Sequence, residues 1–150
     1  MRITIEFPFV ERSQTGNKKR AGKFEFKGRR LKNELKAKCE TFVYLAKKNY
    51  GIDKPFYGAV LNVQWHFKKD NRRDYDNFFG GTKYYTDALV SQEIILADDS
   101  KHLITGDMIM LSGMQKEKIV YHLELFDKDV FNSLLRYRKI KILENPFRSF

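Results

Sequence analysis

Apolar and polar residues alternate from the start of the chain. Ile3, Ile5 and Phe7 share one face and Thr4 and Glu6 the other, the period-2 pattern of a half-buried strand over 2–10. From Arg29 to Tyr50 the period changes. Leu31, Leu35, Cys39, Phe42 and Ala46 recur at helical spacing, and Gly51 is placed to stop the helix. Residues 56–68 return to strict alternation, with Ala59, Leu61, Val63, Trp65 and Phe67 forming one strongly apolar face. A helix is expected over 83–90, with Tyr85, Ala88 and Leu89 inward. Gly80-Gly81 breaks any longer helix from Asn77, and Thr82 is placed to cap the restart. Strands near 102–112 and 117–126 are expected to pair. A final helix is expected from Asp127 to about Leu143, its acids at the positive end and its bases at the negative end, closed by Asn145-Pro146. The order β-α-β-α-β-β-α, without repeats, predicts a single α+β domain with helices packed on a mixed sheet.

Composition narrows the class. At 150 residues, 42% hydrophobic and 15% aromatic, the chain can fill a core, which excludes a disordered polyelectrolyte. The net charge of +10 is unevenly distributed. Residues 1–73 hold 19 of the 29 Lys and Arg and 7 of the 19 acids, netting +12, whereas 74–150 net −2. The first half therefore faces a polyanion, and the second supplies most of the acids. No apolar run reaches membrane-spanning length, and the start of the chain reads as a strand rather than a signal peptide. Cys39 is the only cysteine, so no intrachain disulfide and no cysteine-based zinc site can form. A reduced, cytosolic setting is the default expectation.

The chemistry concentrates in Lys69-Asp70-Asn71-Arg72-Arg73-Asp74-Tyr75-Asp76-Asn77, with Asp98-Asp99 returning after the second helix. Two acids at i, i+2 in extended chain point to one side and repel unless a cation neutralises them. Mg²⁺ does so with a few carboxylates, waters and phosphate oxygens. Acids for a metal beside Lys68, Lys69, Arg72 and Arg73 for a phosphodiester is the layout of a metal-dependent nuclease. Lys18, Lys19, Arg20 and Lys23, around Gly16 and Gly22, read as a basic loop that clamps nucleic-acid backbone.

Blander readings exist for each feature. Asp74 and Asp76 could cap the next helix, and Asp98-Asp99 could be a polar turn before a strand. Asp99-Ser100-Lys101 has the acid-x-Lys spacing of restriction-type nucleases, but Glu25-Phe26-Lys27 and Glu34-Leu35-Lys36 repeat it without a partner acid. Asp87 reads as structural, and Lys83 as either catalytic or a solvated helix residue. Phe78-Phe79 and Tyr84-Tyr85 read as core or dimer packing, with the helix around 82–91 as a candidate dimer surface. Met108, Met110 and Met114 read as core. His66, His102 and His122 read as polar strand residues.

Arg72-Arg73-Asp74-Tyr75-Asp76-Asn77, Lys83, Asp87-Ala88-Leu89 and Asp98-Asp99-Ser100 together resemble the RusA family of Holliday junction resolvases. The resemblance spans residues 1–126 and is specific across 72–100. It implies a Mg²⁺-dependent endonuclease, Mn²⁺ being a possible substitute, that nicks four-way or branched DNA as a homodimer and needs no small-molecule cofactor. It implies Asp74, Asp76 and Asp99 as metal-binding and catalytic acids, Asp98 supporting them, and Lys83 as the functional lysine. It also suggests a bacterial host, of phage or prophage origin. The chain departs from the pattern by about three extra residues between Asp76 and Lys83, including Gly80-Gly81, and its first strand keeps only Pro8 of a proline- and asparagine-rich loop. Residues 127–150, a helix and basic tail packed on or extending the domain, fall outside the resemblance. A non-catalytic basic nucleic-acid-binding protein is the alternative.

Overall fold

A computed structural model describes residues 1–9, 23–69 and 82–144, with the side chains of the first helix described from residue 32. Strand β1 (Arg2–Phe7) buries Ile3, Ile5 and Phe7 and exposes Arg2, Thr4 and Glu6, as its alternation predicts. Helix α1 (Lys23–Asn49) follows, with Cys39, Val43 and Ala46 buried along one stripe and Leu35 and Phe42 packed beside them. It starts earlier than expected. Residues 23–27 lack apolar periodicity and read as the end of a basic loop over 11–27, yet their Lys, Glu and Phe residues tolerate helix, and extension of a formed helix costs little. The C-terminus is as expected. Gly51 adopts φ +66°, Gly51 N–H donates to Lys48 O and Ile52 N–H to Lys47 O, the two bonds of a Schellman stop.

Strand β2 (Gly58–His66) is central, and Ala59, Leu61, Val63 and Trp65 are nearly inaccessible. Helix α2 (Lys83–Ser91) packs against α1, Phe7 of β1 and Tyr121, and buries Tyr85, Ala88 and Leu89, the three residues expected to face inward. Thr82 precedes α2 in helical conformation, and its side chain makes no cap bond, contrary to expectation. Strands β3 (Leu103–Leu111) and β4 (Lys118–Phe126) complete a four-stranded sheet of order β1-β4-β2-β3. Strand β4 runs antiparallel to both β1 and β2, whereas β2 and β3 are parallel. The fold is thus a small α+β domain with a mixed sheet, in the expected element order.

The expected pairing of β3 with β4 is wrong. Both strands pair with β2, one on each side. Residues 112–117 carry the chain over the end of β2, where Met114 N–H donates to Phe67 O at 2.9 Å. Six residues without a tight-turn signature are enough to pass one strand spacing of about 4.8 Å on each side. The sequence shows two adjacent strands but not the strand lying between them.

Helix α3 (Lys128–Glu144) begins one residue after the predicted start, with Phe131 N–H donating to Asp127 O. It docks on the outer sheet face through Phe131, whose ring occupies the space a Cβ at Gly58 would need and packs against Tyr57 and Phe126. Arg138 reaches Thr105 O at 3.4 Å. Val130, Tyr137, Ile140 and Leu143 stay exposed.

Candidate functional site

β2 carries the chain through Phe67 to Lys68 and Lys69, both exposed. Arg72, Arg73, Asp74 and Asp76 lie outside the described residues, as do Lys18, Lys19 and Arg20. Lys23 is the first residue of α1 rather than part of a loop, and its side chain is outside the described set. The described acids of the proposed site are therefore Asp98 and Asp99.

Both sit on the exposed turn that enters β3. Asp99 closes this turn with its main chain and its side chain. Its carbonyl accepts from His102 N–H at 3.0 Å and Leu103 N–H at 2.8 Å. Its Oδ1 accepts from Lys101 N–H at 2.9 Å and lies 2.7 Å from His102 Nδ1. The hydrogen bond from His102, then that from the Lys101 backbone, holds the Asp99 carboxyl below the usual carboxylate range, so it is ionised at neutral pH. Both side-chain bonds use Oδ1, so a cation approaching the turn meets Oδ2. The His102 ring lies 4.8 Å from that of Tyr57 and is largely covered. His102 is thus a turn residue oriented by Asp99, not the polar strand residue its sequence position suggested.

Lys83 is the exposed first residue of α2. A cation there opposes the helix dipole, and no acid in the first turn compensates it. The residue before it lies over the middle of the sheet. Thr82 O accepts from the Tyr121 hydroxyl at 3.3 Å, and Tyr121 pairs with Val63. Burial raises the Tyr121 hydroxyl pKa far above the ordinary value, so it acts as a neutral donor. Asp98 and Asp99 stand instead where β2 begins, because Ala59 pairs with Leu103 while His66, at the far end, pairs with Leu111. Seven residue steps along β2 amount to about 23 Å. The described residues therefore do not bring Lys68 and Lys69 together with Asp99.

Among the described residues, no three His, Cys, Asp or Glu side chains form a metal-binding group. Asp98 and Asp99 are hard oxygen donors of the kind Mg²⁺ selects, and the Asp99 side chain is 56% exposed, open enough for such a ligand. No described helix is long and apolar enough to cross a membrane.

Tyr85 is fully buried against Phe7 and Tyr121, so this part of α2 serves the core rather than a dimer surface. Met108 and Met110 also pack on the core. Lys116 and Lys118 were overlooked. They join Lys68 at one end of the sheet, although some fifty residues separate them in sequence. Compared with known proteins, the chain matches no family model, and no curated protein matches it significantly.

Proposed function

We propose that this protein is a Mg²⁺-dependent endonuclease acting on branched DNA, with paired nicks in a four-way junction as its reaction. The observation that carries the reading is Asp99, an exposed carboxylate kept ionised and fixed through one oxygen at the tip of a turn, beside Asp98. The sequence adds Asp74 and Asp76, flanked by Lys68, Lys69, Arg72 and Arg73, in the order that resembles the RusA resolvases.

In this mechanism Asp74, Asp76 and Asp99 would hold the metal, with Asp98 adding negative potential. The bound ion supplies Lewis acidity and a lowered water pKa. The chain's own groups do the rest. Lys68, Lys69, Arg72 and Arg73 hold backbone phosphates, with Lys18, Lys19, Arg20 and Lys23 extending the contact. Lys83 places a positive charge where the leaving oxygen gains negative charge. His102 keeps the Asp99 carboxylate in one orientation, as the outer-shell partners of metal ligands do. A four-way junction is cut at two symmetric points, so a two-fold dimer suits the substrate.

The alternative is a non-catalytic nucleic-acid-binding protein. One observation favours it: Asp99 already has a structural task in its turn. Incubating a labelled four-way junction with the protein in Mg²⁺ or in EDTA separates the two. The nuclease nicks only with metal, whereas the binding protein retains the junction equally in both and never cuts it.

A further inference from the structure

The outer face of the sheet carries a second feature at the end that α3 leaves uncovered. β1, β2 and β4 turn Ile5, Phe7, Trp65, Ile119 and Tyr121 into the core. Alternation therefore puts Glu6, His66, Lys68 and Lys118 on the outer face, and the register sets His66 directly opposite Lys118. Together with the connection that arches over β2, these strands enclose a cleft of about 510 Å³ lined by Glu6, Pro8, Lys68, Lys116, Glu117 and Lys118.

The charges in this cleft are not balanced against one another. Glu6 Oε1 accepts from Lys118 Nζ at 3.0 Å, which fixes one ammonium on the wall. Lys68 and Lys116 have no ion pair among the described residues. His66, opposite Lys118 in the register, is buried, only 8% exposed, with its Nε2 3.2 Å from Gln64 Oε1.

We propose that this cleft is a phosphate-binding subsite for a nucleic-acid backbone, held by Lys68, Lys116 and Lys118. Its ligand is a phosphodiester with its sugar, which matches a space several times larger than a water-sized pocket. A bilayer headgroup fits less well, because among the described residues Pro8 is the only apolar one lining the cleft, too little to insert among acyl chains. Glu6 restrains Lys118 and limits affinity. The inference shares with the proposed nuclease the class of ligand and Lys68, and needs no metal.

The test is binding of a fluorescein-labelled four-way DNA junction in EDTA, titrated across KCl concentrations. Each lost phosphate contact reduces the slope of log K against log salt by about 0.9 on duplex DNA. Lys68→Gln with Lys116→Gln should lower the slope by nearly two and the affinity at least tenfold, with the melting temperature unchanged. Glu6→Gln releases Lys118 and should tighten binding several-fold. Lys32→Gln with Lys54→Gln, elsewhere on the surface, is the control and should leave the slope nearly intact. An unchanged slope in the cleft variant, an equal fall in the control, or weaker binding by Glu6→Gln overturns the inference. So does binding to phosphatidylserine vesicles through the same lysines with DNA binding unaffected. Cleavage plays no part in this measurement, so an inactive nuclease that binds junctions through the cleft refutes the proposed function alone.

Discussion

His102 Nδ1 lies 2.7 Å from Asp99 Oδ1, within a turn whose main chain Asp99 also closes. The pair fixes which ring nitrogen faces the carboxylate. Nδ1 carries the hydrogen, and the carboxylate stays ionised below its ordinary pKa of 3.8. Because the folded-state pKa is lowered, this contribution is complete above pH 3.8 and is lost only as pH falls through the lower folded value.

In the proposed mechanism, replacing His102 should act on metal use as well as on the turn. His102→Ala is expected to raise the Mg²⁺ concentration for half-maximal cleavage about tenfold, the lower end for outer-shell partners of metal ligands. His102→Asn, which can still donate to Oδ1, should recover much of it. Direct Mn²⁺ binding followed by paramagnetic relaxation gives the same ranking without a cleavage assay. Equal metal affinity in all three proteins would restrict the pair to shaping the turn.

His66 makes stability depend on pH. Burial, then the charge of Lys118, lowers its pKa from 6.5, and Glu6 opposes this only in part, with His122 adding a small push downward. The unfolded chain thus takes up a proton near pH 6.5 that the folded chain resists. The stabilisation is complete above pH 6.5 and is lost as pH falls toward the lower folded value. Thermal melts should show the melting temperature falling between pH 7.5 and pH 5.5, and His66→Gln should flatten that slope.

The fold of β3 depends on a contact between Gly106 and Asn62. Register shifts by one residue between Leu61 and Val63, and the extra residue is accommodated where Asn62 Oδ1 accepts from Asp107 N–H at 2.7 Å. A Cβ on Gly106 would collide with that same oxygen. Gly106→Ala should cost about 1–3 kcal/mol in urea unfolding, through overpacking and a lost hydrogen bond. In an Asn62→Ala background the overpacking part disappears, so the double variant should be more stable than the sum of the single effects predicts.

The sequence made some of this visible and hid the rest for physical reasons. The inward faces of β1, β2 and α2 were legible because burial imposes a period, and Trp65, Tyr85 and Phe7 follow it. The start of α1 was not, because residues 23–27 carry helix-compatible side chains without an apolar stripe. The placement of β4 between β1 and β2 was hidden because pairing is a long-range choice that leaves no local mark. Of the site, Asp98 and Asp99 were legible as carboxylates after a helix. The role of His102 was overlooked, although a spacing of three residues allowed it. Lys116 and Lys118 were overlooked because β2 and β4, far apart in sequence, bring them to Lys68. The exposed apolar residues of α3 were read simply as a helix with a basic end.

The most direct test of the account compares wild type with Asp76→Asn on a labelled four-way junction, scoring binding and nicking in the same Mg²⁺ buffer. The account predicts paired symmetric nicks by wild type, loss of at least a thousandfold in rate by Asp76→Asn, about 4 kcal/mol of transition-state stabilisation, and junction binding retained in both. Tight binding by both proteins with no nicks in either would contradict it and leave a nucleic-acid-binding protein whose acids only shape its turns.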